Sequence, residues 1–173
     1  MRLIALLWLF GAFTFPSSCG SENKSDEPMD AIKAIGSVPH VVLLAATRYA
    51  PLLECVTADV TALNASASTA TYTWYLKGQT KGILADYFIS EEAPDRGVFY
   101  IRLDSDTFGP VPTQALYSDY KNCLIEKTKF MSEDICLLWV SQEPQTVVPE
   151  ECFTEFDEKC GDIVLLYTDD ACK

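Results

Sequence analysis

The chain has 173 residues, of which 49% are hydrophobic, so it is long enough for one domain with its own core and too short for a second large domain. Its formal net charge of −12 leaves no surplus of Lys and Arg to neutralise phosphates. This charge argues against nucleic acid and against an anionic membrane surface as partners.

The N-terminus has the organisation of a secretory signal peptide. Met1-Arg2 is followed by an apolar run from Leu3 to Phe15, which is too short for a stop-transfer helix. Small residues precede Gly20 and provide a cleavage site. We therefore predict a signal peptide at residues 1–19, a mature domain at residues 20–173 and secretion from the cell, whereas the alternative of a membrane anchor would need a longer apolar run.

The mature chain has the pattern of an all-β protein. After a polar leader, a short helix is expected around Met29 to Ile35, and short runs of β-branched and aromatic residues separated by turn residues then predict antiparallel strands. A helix with Pro149 at its start and Gly161 at its end precedes a closing strand at Ile163 to Tyr167. The predicted strands are 40–48, 52–60, 70–76, 82–89, 97–103, 113–118, 121–128 and 134–141. Eight such strands fit a closed barrel with the C-terminal helix packed outside, and its interior would be wide enough for one small ligand.

Six cysteines remain once residues 1–19 are removed. In an oxidising compartment they predict three disulfides, although spacing alone does not choose among the possible pairings. A zinc site would need closely spaced ligand pairs, and the closest pair, Cys152 and Cys160, is accompanied by a single histidine, His40. We therefore expect no metal. The six residues are Cys55, Cys123, Cys136, Cys152, Cys160 and Cys172.

Two segments match the acceptor pattern for N-glycosylation. They begin at Asn23 and Asn64. Asn64 lies in the Ser/Thr/Ala-rich stretch from Ala62 to Ala70, which reads as an exposed loop between strands. We therefore predict that Asn64 is the better acceptor of the two.

Five segments in the C-terminal half form a distinctive set. They are Tyr117 to Ile125, Cys136 to Val140, Val148 to Cys152, Phe156 to Gly161 and the terminal Cys172. Together they resemble the tick salivary lipocalins, the histamine-binding protein family, and the resemblance continues less specifically through residues 30–31, 48–49 and 54–56. It implies an eight-stranded lipocalin barrel with a ligand cavity, secreted in saliva to sequester host mediators. It also implies the disulfides Cys55–Cys172 and Cys123–Cys152, which leaves Cys136–Cys160.

The amine binders of this family share two acidic positions that this sequence lacks. The frame of their motif is intact between Cys123 and Cys152, including Trp139, but the acidic positions hold Leu124 and Leu137. These carboxylates would supply the counter-charge that a buried ammonium group requires. Their replacement argues against histamine and serotonin as ligands.

An apolar interior would instead suit a lipid-like mediator such as a leukotriene, a thromboxane or a fatty acid. Strand alternation places Leu137 and Trp139 on one face, which the motif makes the interior, and Leu124 also points inward. A carboxylate ligand would need a cation, for which Arg48 and Arg102 are candidates unless they face solvent. Aromatic strand residues either line the cavity or simply fill the core. The candidate ligand-binding residues are thus Arg48, Tyr72, Trp74, Tyr100, Arg102, Leu124, Leu137 and Trp139.

The sequence favours ligand binding over catalysis. It has one histidine, no G-x-S-x-G motif and no cysteine left over if three disulfides form, and the triplet Asp104-Ser105-Asp106 reads as a turn rather than a metal site. We expect a secreted monomer without a cofactor that binds a small host mediator, either an amine or, in preference, a lipid. The alternative is a lipocalin that acts on a host complement or immune protein through its surface loops.

Overall fold

The computed structural model describes residues 29–90, 95, 97–104, 109–142 and 147–172. The predicted signal peptide, the sequon at Asn23 and two residues of the Asp104-Ser105-Asp106 triplet lie outside these ranges. None of the helices within the ranges has the length and apolar character needed to cross a membrane.

Eight antiparallel strands form a closed barrel, as the sequence predicts. Consecutive strands pair with one another, and the first strand pairs with both the second and the eighth, which closes the sheet. A short ninth strand, β9 (Val164–Leu165), extends the sheet beside β1. The barrel strands are β1 (His40–Ala46), β2 (Thr57–Asn64), β3 (Thr69–Tyr75), β4 (Ile83–Phe88), β5 (Val98–Leu103), β6 (Val111–Ser118), β7 (Cys123–Phe130) and β8 (Glu133–Ser141).

The second strand differs most from its prediction. Residues 52–60 were expected to be extended, but a 3-10 turn occupies Pro51–Leu53 and β2 begins only at Thr57, because proline fixes φ at a turn-compatible value. The strand then continues to Asn64, which pairs with Thr69. The loop predicted from Ala62 to Ala70 is therefore too long, because the exposed turn between the two strands is confined to residues 65–68. The end of β2 was missed because it is exposed on both faces and lacks the alternation that marks a half-buried strand.

A short helix, α1 (Ala31–Gly36), closes one end of the barrel. The side chains of Ile35 in this helix and of Val38 just after it are buried against the barrel interior. The hydroxyl oxygen of Tyr72 in β3 lies 2.6 Å from the carbonyl oxygen of Ile35 and 2.9 Å from that of Val38, so it can donate to either carbonyl. We call this the closed end; the opposite end, with the β1–β2, β3–β4, β5–β6 and β7–β8 connections, is the open end.

The C-terminal helix, α2 (Glu150–Cys160), packs on the outside of the barrel. It ends at Gly161, whose φ of 88° suits a residue without Cβ. The three disulfides implied by the family resemblance are confirmed, and two of them join α2 to the barrel; each typically contributes about 2–4 kcal/mol to stability. The bonds are Cys123–Cys152, Cys136–Cys160 and, between the β1–β2 connection and the C-terminal tail, Cys55–Cys172.

Candidate functional site

Two tryptophans divide the barrel interior into two chambers. The rings of Trp74 and Trp139 contact each other with centroids 5.4 Å apart. Above them, toward the open end, lies a cavity of about 650 Å³, which we call the upper chamber. Below them, toward α1, lies a cavity of about 20 Å³, the lower chamber, which is large enough for one water-sized group.

The upper chamber is mainly apolar and has the size of a small-molecule site. Its volume falls within the range of about 300–1,000 Å³ that is usual for ligand pockets. Polar groups such as Thr128 contribute less of its lining than aliphatic and aromatic side chains do. The apolar lining includes Leu53, Trp74, Ile101, Leu103, Phe130 and Leu137.

The lower chamber contains a buried carboxyl group that the sequence analysis missed. Glu126 has 0% of its surface exposed, and its Oε1 accepts a hydrogen bond of 2.9 Å from the indole N–H of Trp139. Its Oε2 is also buried and accepts no hydrogen bond from the described residues. Nearby, the indole N–H of Trp74 donates to the hydroxyl of Tyr87 over 3.0 Å. The two tryptophans between the chambers therefore both donate hydrogen bonds to polar groups on the side of the lower chamber.

Burial governs the protonation of these groups. It raises the pKa of Glu126 to about 7, against the opposing effect of the Trp139 hydrogen bond. Burial, together with the negative charge of Glu126, also raises the pKa of Tyr72 and of Tyr87. Glu126 is thus partly ionised near neutral pH.

Glu126 lies next to the two leucines that replace the acidic motif positions. It follows Leu124 by two residues in β7 and is paired directly with Leu137 in β8. Leu124, Leu137 and Trp139 all belong to the interior cluster, as strand alternation predicts. The prediction that the interior beside these residues is apolar is corrected by Glu126, and the i, i+2 alternation from Leu124 was the signal that could have found the acid.

Two of the candidate residues lie outside the barrel. In β5 the inward positions are Phe99 and Ile101, whereas Tyr100 and Arg102 point outward. The guanidinium of Arg102 pairs with Asp86 at 3.0 Å on the outer surface. Tyr100 and Arg102 were therefore wrong as candidate ligand-binding residues, because the inward phase of β5 belongs to Phe99 and Ile101. For Arg102 the structure shows the alternative that the sequence left open, a side chain that faces solvent.

Two cations stand near the open end of the upper chamber. Lys129 lines the chamber, and its Nζ pairs with Asp134 at 3.0 Å; Arg48 is not a lining residue but lies beside one. Its Nη2 donates to the carbonyl oxygen of Phe130 over 3.1 Å and pairs with Glu133 Oε2 at 3.3 Å. The guanidinium also lies 6.0 Å from the centroid of the Phe130 ring, which lines the chamber. A cation therefore stands beside the apolar cavity, although it has a carboxylate partner of its own.

The remaining predicted sites lie on the outer surface. Asn64 is exposed at the end of β2, and its side-chain oxygen accepts hydrogen bonds from Ser66 and Ala67. Within the described ranges, one group of possible metal ligands comes together, formed by Asp119 and the disulfide pair Cys123–Cys152. The sulfur atoms of a disulfide are not thiolates, so this group does not form the kind of site that zinc requires.

Comparison with solved structures places the fold among lipocalin-like barrels. The crystal structure of AM182 in complex with serotonin has a TM-score of 0.62 at 16% identity and covers 82% of this chain and 92% of its own. Japanin from Rhipicephalus appendiculatus bound to cholesterol has a TM-score of 0.55 at 15% identity, covering 83% and 99%. Lobster apocrustacyanin A1 has a TM-score of 0.57 at 11% identity, covering 80% and 81%.

Sequence comparison gives a more specific result. No curated protein matches the chain significantly. However, the family model described as tick histamine binding protein matches residues 20–173, which is the whole of the predicted mature domain. The interior cavity, the three disulfides and this match together show that the chain belongs to the tick histamine-binding protein family.

Proposed function

We propose that this protein sequesters a small, lipid-like host mediator in the upper chamber, one molecule per barrel and without turnover. The observation that carries the proposal is the size and apolar lining of that chamber. Burying an acyl chain there would remove apolar surface from water at a gain of about 25 cal/mol per Å² before the costs of binding are subtracted. Family membership and the ligand complexes of AM182 and japanin support small-molecule binding.

An acidic head group would be held at the open end. Two cations stand at that end: Lys129 lines the cavity and pairs with Asp134, and Arg48 lies beside the lining residue Phe130. A ligand carboxylate would compete with Glu133 for the Arg48 guanidinium. The Glu133 side chain is 73% exposed, and an exposed ion pair contributes only about 0–1 kcal/mol. A leukotriene or fatty acid would therefore lie with its carboxylate at the rim and its chain inside.

Sequestration would serve the host-facing role expected of a salivary protein. The three disulfides fit an extracellular protein, and family membership supports secretion in saliva. Removal of a lipid mediator would suppress inflammatory or haemostatic responses of the host.

Fluorescence titration tests the ligand class. A chain that begins at Gly20 has two tryptophans, Trp74 and Trp139, and both border the cavities. Leukotriene B4 is expected to quench their emission with one-to-one stoichiometry, whereas histamine and serotonin are expected to bind more weakly. Tighter binding of an amine would contradict the lipid proposal, and no response to any of the three would favour a protein partner instead.

A charge placed in the chamber provides a second test. Leu103→Glu introduces a carboxylate among apolar side chains and should weaken leukotriene binding by about tenfold or more. Leu165→Glu, at an exposed position on β9 outside the cavity, is the matched control and should leave affinity unchanged. Equal affinities of the two variants would place the ligand somewhere other than the upper chamber.

A further inference from the structure

The lower chamber has the features of a binding subsite rather than of ordinary core packing. A core normally pairs every buried polar atom, but Glu126 Oε2 is buried with no hydrogen bond from the described residues and borders a cavity of about 20 Å³. Two tyrosine hydroxyls also reach this layer, and both are already engaged. The hydroxyl of Tyr87 accepts a hydrogen bond from Trp74, and that of Tyr72 can donate to the carbonyl of Ile35 or Val38. With Glu126 as the carboxylate, the chamber therefore presents an acceptor that needs a donor.

The chamber selects by both size and hydrogen-bond polarity. Its volume suits a single hydroxyl or ammonium group, and a carboxylate would be repelled by the carboxylate form of Glu126. Apart from Glu126 and the tyrosine hydroxyls, its lining is apolar and includes Val41, Ala58 and Leu124. A donor group in this chamber would be shielded from water. Its hydrogen bond to the carboxyl group would therefore be stronger than in a hydrated site.

The tryptophan pair separates this acceptor from the upper chamber. Trp139 donates a hydrogen bond to Glu126 and contacts Trp74, and Trp74 lines the upper chamber. A group that approached Glu126 from the upper chamber would have to displace these rings. Movement of the Trp139 ring would also alter its hydrogen bond to Glu126 Oε1. The position of this ring and the position of the Glu126 carboxyl group therefore depend on each other.

We propose that the lower chamber is a subsite for the hydrogen-bond-donating end of an elongated ligand, with Glu126 Oε2 as the acceptor and the Trp74–Trp139 pair as the partition that moves to admit it. The donor is a hydroxyl or an ammonium group, and the apolar remainder of the ligand fills the upper chamber. This inference rests on the proposed function, because it assumes that the upper chamber binds the rest of the molecule.

Three ten-carbon probes with different head groups test the proposal. 1-Decanol and 1-aminodecane should place the head group at Glu126, whereas decanoate should keep its head at the open end. Glu126→Met removes the acceptor and is expected to weaken binding of the alcohol and the amine by about tenfold, with decanoate changed less than about twofold. Glu126→Gln separates the two donors, because its amide N–H can donate to a hydroxyl but opposes an ammonium. Glu155→Gln, a buried carboxyl beneath α2 on the outer side of the barrel, should change none of the three affinities.

A spectroscopic measurement on the unaltered protein gives an independent result if a variant fails to fold. The indole N–H resonance of Trp139 should shift on addition of the alcohol or the amine and stay in place with decanoate. If each probe binds Glu126→Met as tightly as it binds the wild type, or if the Trp139 resonance does not shift with the alcohol or the amine, the lower subsite is overturned. The proposed binding in the upper chamber would be unaffected by that result. If none of the probes binds the wild type, the proposed function itself fails.

Discussion

The buried carboxyl of Glu126 makes a quantitative prediction about stability. Its pKa is raised from 4.5 to about 7 by burial, so the folded state binds this proton more tightly than the unfolded chain does. The contribution of Glu126 to stability is therefore most favourable below pH 4.5 and is lost as the pH rises toward 7. Above pH 7 the loss is constant.

The size of the effect on stability follows from the difference between the pKa of Glu126 in the folded state and in the unfolded chain. The difference between 7 and 4.5 is about 2.5 units, and each unit corresponds to about 1.36 kcal/mol. Ionisation of Glu126 thus costs the folded state about 3 kcal/mol at pH 8.5. Glu126→Gln removes the titration and keeps the shape of the side chain. For a domain of this size we expect the variant to melt about 6–12 °C above the wild type at pH 8.5, and within about 3 °C of it at pH 5.

Thermal unfolding followed by circular dichroism at the two pH values measures this difference. Glu158→Gln removes an exposed carboxylate from α2 and is the control for a general change in net charge. The indole fluorescence of the wild type should also change with a midpoint near pH 7, because Trp139 donates to Glu126. A melting difference for Glu126→Gln that is the same at pH 5 and pH 8.5 would refute the assignment of a buried, titrating acid.

Three further outcomes follow from the fold. Tyr72→Phe removes the donor to the carbonyls of Ile35 in α1 and of Val38 just after it and should reduce the free energy of unfolding by about 1–3 kcal/mol in guanidinium titrations; an unchanged value would mean that this hydroxyl does not help to hold α1 on the barrel. Replacing Cys136 and Cys160 together by Ala should cost about 2–4 kcal/mol and increase amide exchange in α2, and unchanged exchange would show that the helix does not depend on this bond. Asn64→Gln should lower the mass of the protein secreted from insect cells by one glycan, whereas an unchanged mass would show that this sequon is not used.

The fold could be predicted largely from sequence because its signals are local. Strand alternation, turn residues and the terminal helix pattern located most elements, and the family resemblance implied the disulfide pairs that the structure contains. The β1–β2 connection was less accessible, since Leu52 and Leu53 have the hydrophobicity of a strand although Pro51 starts a 3-10 turn there. Local hydrophobicity does not distinguish a strand from a turn that packs on the core.

The candidate site was predicted less completely because it depends on the phase of each strand. The phase was right for Leu137 and Trp139, where the family motif fixed the interior face, and wrong for Arg102, where polar and apolar residues do not alternate strictly. Glu126 was missed because a charged residue is expected to face solvent. Its alternation with the inward Leu124 and its pairing with Leu137 across the sheet both indicate that it faces the interior.

Calorimetric titration of the domain at residues 20–173 with leukotriene B4, at several temperatures, measures whether the upper chamber binds a lipid mediator. If the upper chamber is the binding site, the titration gives one molecule per barrel and a negative change in heat capacity, because apolar surface is buried, and Leu103→Glu weakens the affinity by about tenfold or more. Absence of binding heat at every temperature, or equal affinity of Leu103→Glu and the wild type, would show that the upper chamber is not the binding site for this lipid.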